Sequence, residues 1–192
     1  VTIGAMATHS SVARSREVAD AIPALAELAA GIGDQMVRNM GTIGGSIANA
    51  DPAADYPAAV LALDATIRTD RRSIAAGDFF QGLFETALEP GEMIQSVSFP
   101  IVRKAAYQKL RQPASRFALV GVFVASGANG PRVAVTGAGP SVFRVAEMEK
   151  ALASSFSADA VTAVKVPASG LNSDLHGSAE YRAAMVTVTP RA

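Results

Sequence analysis

An α+β fold in two parts is the architecture predicted for this chain of 192 residues, and three features predict it. Apolar residues recur at helical spacing through much of the stretch before residue 64. A proline, Pro100, stops an alternating strand near mid-chain. Beyond it three strand-like runs come together and helical patterns follow, the order expected of an antiparallel sheet with helices packed on one face.

Each element has a local reason. Val1 to Gly4 reads as a short strand, and His9 to Asp20 as one helix starting near Thr8 or His9. Pro23 suits the first position of a helix over Ala24 to Ala30, which Gly31 or Gly33 ends. Met36 to Ala54 reads as loop and turn. Tyr56 to Leu63 fits a helix with Asp55 as N-cap and Pro57 in its first turn. Ala65 to Thr69 and Arg72 to Ala75 form a strand pair across Asp70-Arg71, and Asp78 to Gly82 a helical turn. Pro90-Gly91 turns the chain into the strand Met93 to Phe99.

Pro100 is the expected boundary between a part spanning 1–100 and one spanning 101–192. Strands follow over Ala105 to Leu110, Phe117 to Ser126 and Val133 to Gly137, with Asn129-Gly130-Pro131 as the hairpin turn. Helices are expected over Arg144 to Ala153, Ala158 to Val164 and Ser178 to Val188.

Composition narrows the function classes. Lys+Arg and Asp+Glu both total 17, and this balance argues against a nucleic-acid partner, which normally shows as a basic excess. No stretch reaches the roughly 18 uninterrupted apolar residues of a membrane span. Cysteine is absent and there are two histidines, His9 and His176. Disulfides, thiolate zinc sites and cysteine-held iron–sulfur clusters are therefore excluded from this chain, and any redox metal sits on another. The opening Val1, with no cleavable leader, reads as the start of a fragment or processed piece.

The densest polar segment is residues 38 to 55, with Gly41-Thr-Ile-Gly-Gly-Ser46 at its centre and Asp51 and Asp55 beyond. One reading is a tight turn. The other is a cradle in which backbone amides and the Thr42 and Ser46 hydroxyls bind a pyrophosphate, glycine allowing close approach. A nearby acid could then accept from ribose hydroxyls. No lysine follows at P-loop spacing. Neither Gly31-Ile-Gly33 nor Gly137-Ala-Gly139 completes a dinucleotide fingerprint, because Met36 and Val142 stand where a third glycine is needed. His176 reads as a capping or surface residue. Arg103, Lys104, Lys109, Arg111 and Arg116 read as a solvated basic face from which one cation could reach a cofactor.

With Asp51-Pro-Ala-Ala-Asp55 downstream, Val37 to Ser46 resembles the FAD-binding medium subunit of molybdenum hydroxylases, the carbon monoxide dehydrogenase and xanthine dehydrogenase family. Further segments agree in order: Ile3-Gly4-Ala5, Pro90-Gly91-Glu92-Met93-Ile94, Lys109-Leu110, Gly137-Ala-Gly139-Pro140, His176 to Arg182 and Arg191-Ala192. The resemblance implies part of a vanillyl-alcohol-oxidase-like (PCMH-like) FAD-binding lobe over 1–100. Residues 101–192 would form the family's small C-terminal flavoprotein domain. By the same resemblance, Thr42, Ile43, Gly44, Gly45 and Ser46 form the second of two glycine-rich FAD loops, and Asp55 is the acid contacting the cofactor. Ile32 would lie near the flavin, Ile94 would make a backbone contact in the nucleotide region, and Lys109 would be a basic group near the cofactor.

The first glycine-rich loop of the family, on a preceding subdomain, has no counterpart here. The implied function is electron transfer by a cytoplasmic oxidoreductase subunit without a catalytic acid, base or nucleophile. Iron–sulfur clusters of the [2Fe-2S] type on a small subunit, and a molybdenum cofactor on a large one, would complete a dimer of heterotrimers. FAD would pass electrons to a quinone, NAD or dioxygen. The competing reading is a cofactor-free scaffold subunit from the same family.

Overall fold

A computed structural model describes residues 1–191; Ala192 and the Arg191 side chain, and with them the Arg-Ala ending, lie outside the described residues. Strand β1 (Thr2–Gly4) pairs with the later β6, and Thr2 lies opposite Ser98. The expected single helix over 9–20 is two, α1 (His9–Arg14) and α2 (Arg16–Ala21). Ser15 breaks it by serving both: its N–H donates to Val12 O while its Oγ accepts from Val18 N–H. A serine hydroxyl offers the backbone this alternative to helix continuation. Ile22 is pushed out of helical geometry by Pro23, which opens α3 (Pro23–Ala30).

The segment expected as loop is largely helical. Helix α4 (Gln35–Met40) is capped by Asp34, and α5 (Ile43–Asn49) by Thr42, whose Oγ1 accepts from Gly45 N–H at 3.1 Å. Glycine disfavours a helix, but the fully buried pair Ile43 and Ile47, one turn apart, anchors α5 in the core, and packing outweighs propensity. Ala50, left-handed at φ 47°, ends it. In α6 (Tyr56–Ala62) every residue is buried.

Strands β2 (Thr66–Thr69) and β3 (Ser73–Ala75) form the expected pair. Residues 78–82 differ from expectation. A short α7 (Ala76–Phe79) begins earlier, anchored by the fully buried Phe79, and β4 (Phe80–Gly82) then pairs with β5 (Glu85–Thr86). Strand β6 (Ile94–Ser98) completes an antiparallel sheet ordered β1-β6-β2-β3. Its alternate residues Ile3, Val97, Ile67 and Ile74 are buried, as period-two geometry requires.

The second sheet contains β7 (Lys104–Arg111), β8 (Ala118–Gly127), β9 (Gly130–Thr136) and the unanticipated β10 (Phe143–Arg144), ordered β10-β9-β8-β7. Phe123, Ala125 and Ala134 join the core of the first half, whereas Val120, Val122, Val133 and Val135 pack with Met148, Leu152 and Val186. Coverage of both faces explains the unbroken apolar run in β8. Helices α8 (Ala146–Ser154) and α9 (Ala179–Val188) follow expectation. The helix expected over 158–164 is only a 3-10 turn, Ala158–Val161. Pro100 lies in the connection from β6 to β7.

A buried acid braces the first sheet. The Glu92 side chain is fully buried and accepts from Thr69 Oγ1 (2.7 Å), Arg72 Nε (3.0 Å) and Glu89 N–H (2.8 Å). These donors, Arg72 first, hold its carboxyl down at about 2. A depressed carboxylate stabilises the fold above its ordinary value, and that stability is lost as pH falls through the folded value. Glu92→Gln is therefore expected to melt below the parent at neutral pH. Thermal unfolding from pH 7 to pH 2 should show the gap closing between about 4.5 and about 2.

Candidate cofactor cleft

The glycine segment is sewn to the first turn of the chain. Thr8 and Thr42 form an isolated bridge, and His9 N–H donates to Gly41 O at 2.9 Å. Ile43 N–H donates to Ala7 O (3.0 Å), Gly44 N–H to Ala5 O (2.9 Å) and Ser46 N–H to Thr42 O (3.0 Å). With Gly45 N–H on Thr42 Oγ1, all four amides from 43 to 46 have acceptors within the chain. The tight-turn reading and the row of free amides are both replaced by a capped helix N-terminus. The adjacent glycines also do different work. A Cβ on Gly44 would lie 2.6 Å from Ala5 Cβ and 2.8 Å from Ala5 O, so its bareness permits helix-on-strand packing. A Cβ on Gly45 would approach only Thr42 Oγ1, at 2.9 Å. That face is otherwise open and borders a cleft of about 510 Å³.

Of the expected site residues, Ile32, Thr42, Gly45, Ser46 and Asp55 line this cleft. Ile43 and Gly44 turn into the protein, and Ile94 packs against the first core from β6. Lys109 lies behind the wall rather than in it. The cleft also receives His9, Asn49 and Phe117, none of them singled out as a site residue from the sequence, and Arg116, one of the five cations of the expected basic face. Phe117 is exposed, and Arg116 is held at φ 63°. Their place depends on the 112–117 connection folding back from β7, for which the sequence carries no local signal.

Asp55 departs from the role of cap. It occupies the N-cap position of α6, but its side chain makes no capping bond. The carboxylate turns to β7 instead, accepting from Tyr107 OH at 2.5 Å and from Lys109 Nζ at 2.9 and 3.0 Å. Both side chains of the ion pair are 4% exposed, and a buried charge needs a counter-charge more than a helix amide needs a cap. Burial pushes the Asp55 carboxyl up, while Lys109 and Tyr107 pull against that shift. Lys109 is thus removed from the solvated basic face expected of it. His9 is 5% exposed and its ring lies 5.3 Å from that of Tyr56. Burial lowers its affinity for a proton, which keeps the imidazole neutral. His176 is exposed, as expected, its N–H donating to Asp174 Oδ1.

Comparison with known proteins places this geometry. A profile described as "FAD binding domain in molybdopterin dehydrogenase" matches residues 1–102. The chain belongs to that family. It is 35% identical to the glyceraldehyde dehydrogenase medium chain of Sulfolobus acidocaldarius, over 98% of this chain and 72% of the relative. It is 33% identical to the carbon monoxide dehydrogenase medium chain of Hydrogenophaga pseudoflava, over 96% and 70%. Its fold superposes on reconstituted carbon monoxide dehydrogenase from Oligotropha carboxidovorans with a TM-score of 0.85 at 30% identity, covering 99% of this chain and 72% of that one.

The residues fit the cofactor of this FAD-binding medium-subunit homologue. Gly45 leaves the wall bare where a side chain would fill it, and the Thr42 and Ser46 hydroxyls, Asn49 and Arg116 offer donors to phosphate oxygens. Ile32, Val37, Met40 and Phe117 add apolar surface for a flat ring.

Two substitutions separate packing from charge. Gly44→Ala drives a methyl into Ala5 and should cost about 1–3 kcal/mol, read as a lower urea midpoint. Lys109→Met leaves the Asp55 carboxylate buried without its cation and should cost about 3–5 kcal/mol. Adding Asp55→Asn should restore part of that loss, as the coupling in a double-mutant cycle.

Proposed function

We propose that this chain is the FAD-carrying electron-transfer subunit of a multi-subunit molybdenum hydroxylase. The observation that carries the reading is the bare Gly45 face of α5, flanked by the Thr42 and Ser46 hydroxyls, in a chain of an FAD-binding family. The cofactor-binding set is Thr42, Gly45 and Ser46 at the cleft wall, with Ile43 and Gly44 fixing the backbone behind them. Asp55 and Ile32 also line the cleft. Lys109 acts by holding Asp55, and Ile94 contributes through its backbone. FAD supplies the redox chemistry when bound. The chain's own residues place it, exclude water and set the surrounding charge, with no general acid, base or nucleophile among them.

In this reading residues 1–100 form the FAD lobe and 101–192 a flavoprotein C-terminal domain. Electrons arrive from [2Fe-2S] clusters on an iron–sulfur small subunit, after substrate oxidation at the molybdenum cofactor of a large subunit. They leave to an external acceptor. A dimer of heterotrimers in the cytoplasm is the assembly this division of labour implies. A cofactor-free scaffold is the alternative, and the observation that favours it is the full occupancy of the four amides from 43 to 46.

The visible spectrum of the purified complex separates the two readings. A flavin-yellow chain that releases stoichiometric FAD on denaturation supports electron transfer, and a colourless chain in stoichiometric complex supports the scaffold. Gly45→Val is expected to abolish flavin retention while the complex still assembles, because its side chain occupies the open wall. Normal flavin absorbance in that variant would sink the cleft assignment.

A further inference from the structure

A second hollow, distinct from the glycine-lined cleft, lies along β7. It measures about 560 Å³ and takes in Lys104, Ala106 and Gln108 of β7, with Ala105 and Ala21 to Pro23 at its edge. Strand periodicity sends Tyr107 and Lys109 toward Asp55 and turns Lys104, Ala106 and Gln108 outward. The outward face meets a gap in the helical layer. Only two short 3-10 turns, Ala158–Val161 and Thr189–Arg191, stand over this side of β7, and Ala158, Val161 and Pro190 line the hollow from them. Val122, Val124, Met148, Leu152 and Phe156 give it an apolar lining.

Its charge is one-sided. No Asp or Glu lines the hollow among the described residues, and its ionisable groups are the neighbours Arg103 and Lys104. Both are exposed, which puts them at the rim, and neither has an acidic partner among the described residues. Lys104 Nζ lies instead 5.8 Å from the centre of the Phe156 ring. The volume falls in the range of about 300–1,000 Å³ typical of small-molecule sites. An apolar wall binds water poorly and takes an apolar body, while two adjacent unpaired cations favour an anion at the mouth.

We propose that this hollow binds an amphipathic carboxylate, its apolar body against Val122, Val124, Met148 and Leu152 and its carboxylate beside Arg103 and Lys104. The volume suits a small molecule rather than a docked protein segment, which needs a longer surface. Strand β7 separates this site from the cofactor cleft, and the proposal stands whether or not FAD is bound.

Calorimetric titration of the assembled complex of the full-length chain with decanoate tests it. One saturable site per chain is expected. The double variant Arg103→Glu/Lys104→Glu should weaken it by about tenfold or more. Ala106→Phe should fill the hollow and abolish binding, with flavin absorbance and melting temperature unchanged. Both charge substitutions lie on the surface, so that arm holds even if the phenylalanine disturbs folding. Absence of saturable heat, or binding indifferent to the charge reversal, overturns the proposal. Decanol binding as tightly as decanoate refutes the anion selection. A site present in the free chain and lost on assembly identifies the hollow as a subunit contact and also overturns it.

Discussion

The contact on which the arrangement depends is the buried triad of Asp55, Lys109 and Tyr107. Asp55 stands where the cleft meets the first turn of α6, the helix that is buried throughout and packs on β8 and β9. Lys109 and Tyr107 come from β7, more than fifty residues later. A carboxylate in this position cannot be solvated by water, and its partners supply charge and hydrogen bonding together. The triad thereby joins the part of the chain that carries the glycine segment to the part that carries the second sheet. Tyr107 also stacks on Phe123 at 6.0 Å, so the polar contact is embedded in the apolar one.

The cleft above this triad is shaped by omission. Gly44 has no side chain because Ala5 is there, and Gly45 because nothing is. Adjacent residues of one type thus answer to opposite constraints, one from packing and one from open space. Residues 5–9 bring Ala5 against α5 and His9 into the cleft wall, and their backbone is hydrogen-bonded to residues 41–44. The wall is held from behind by main-chain bonds, which leaves the side-chain hydroxyls of Thr42 and Ser46 facing the space in front.

Local signals carried much of the fold. Pro23 and Pro100 punctuated the chain where the structure does, period-two alternation placed β6, and an unbroken apolar run placed β8. The 36–54 segment failed because its glycines argue against helix, whereas burial of Ile43 and Ile47 decides for it; that is a tertiary effect with no local mark. Ser15 failed for the reverse reason, since a residue that caps two helices at once looks ordinary inside an amphipathic pattern. In the site, Thr42, Gly45 and Ser46 stood out by their density of polar and bare positions. Lys109 looked like one of several surface cations. Only the pairing of β7 with β8 reveals that it points inward, because Lys109 lies opposite Gly121 with Tyr107 beside it on the same face. Gly121 has no room for a Cβ, which would lie 2.4 Å from the Tyr107 hydroxyl.

That last contact shows how the register of β7 is specified. A strand slipped by one residue exchanges its two faces completely. In β7 such a slip would turn Lys104, Ala106 and Gln108 toward α3 and Tyr107 and Lys109 outward. Asp55 would then be stranded without a cation, at the cost of an unpaired buried charge, and the Tyr107 ring would lose both Phe123 and the gap that Gly121 leaves for it. The apolar alternation of β7 is weak, with alanines on both faces, and hydrophobicity alone would select the register poorly. The buried ion pair selects it instead. The same interaction that sets the charge beside the glycine-lined cleft therefore also decides which face of β7 is left to line the second hollow.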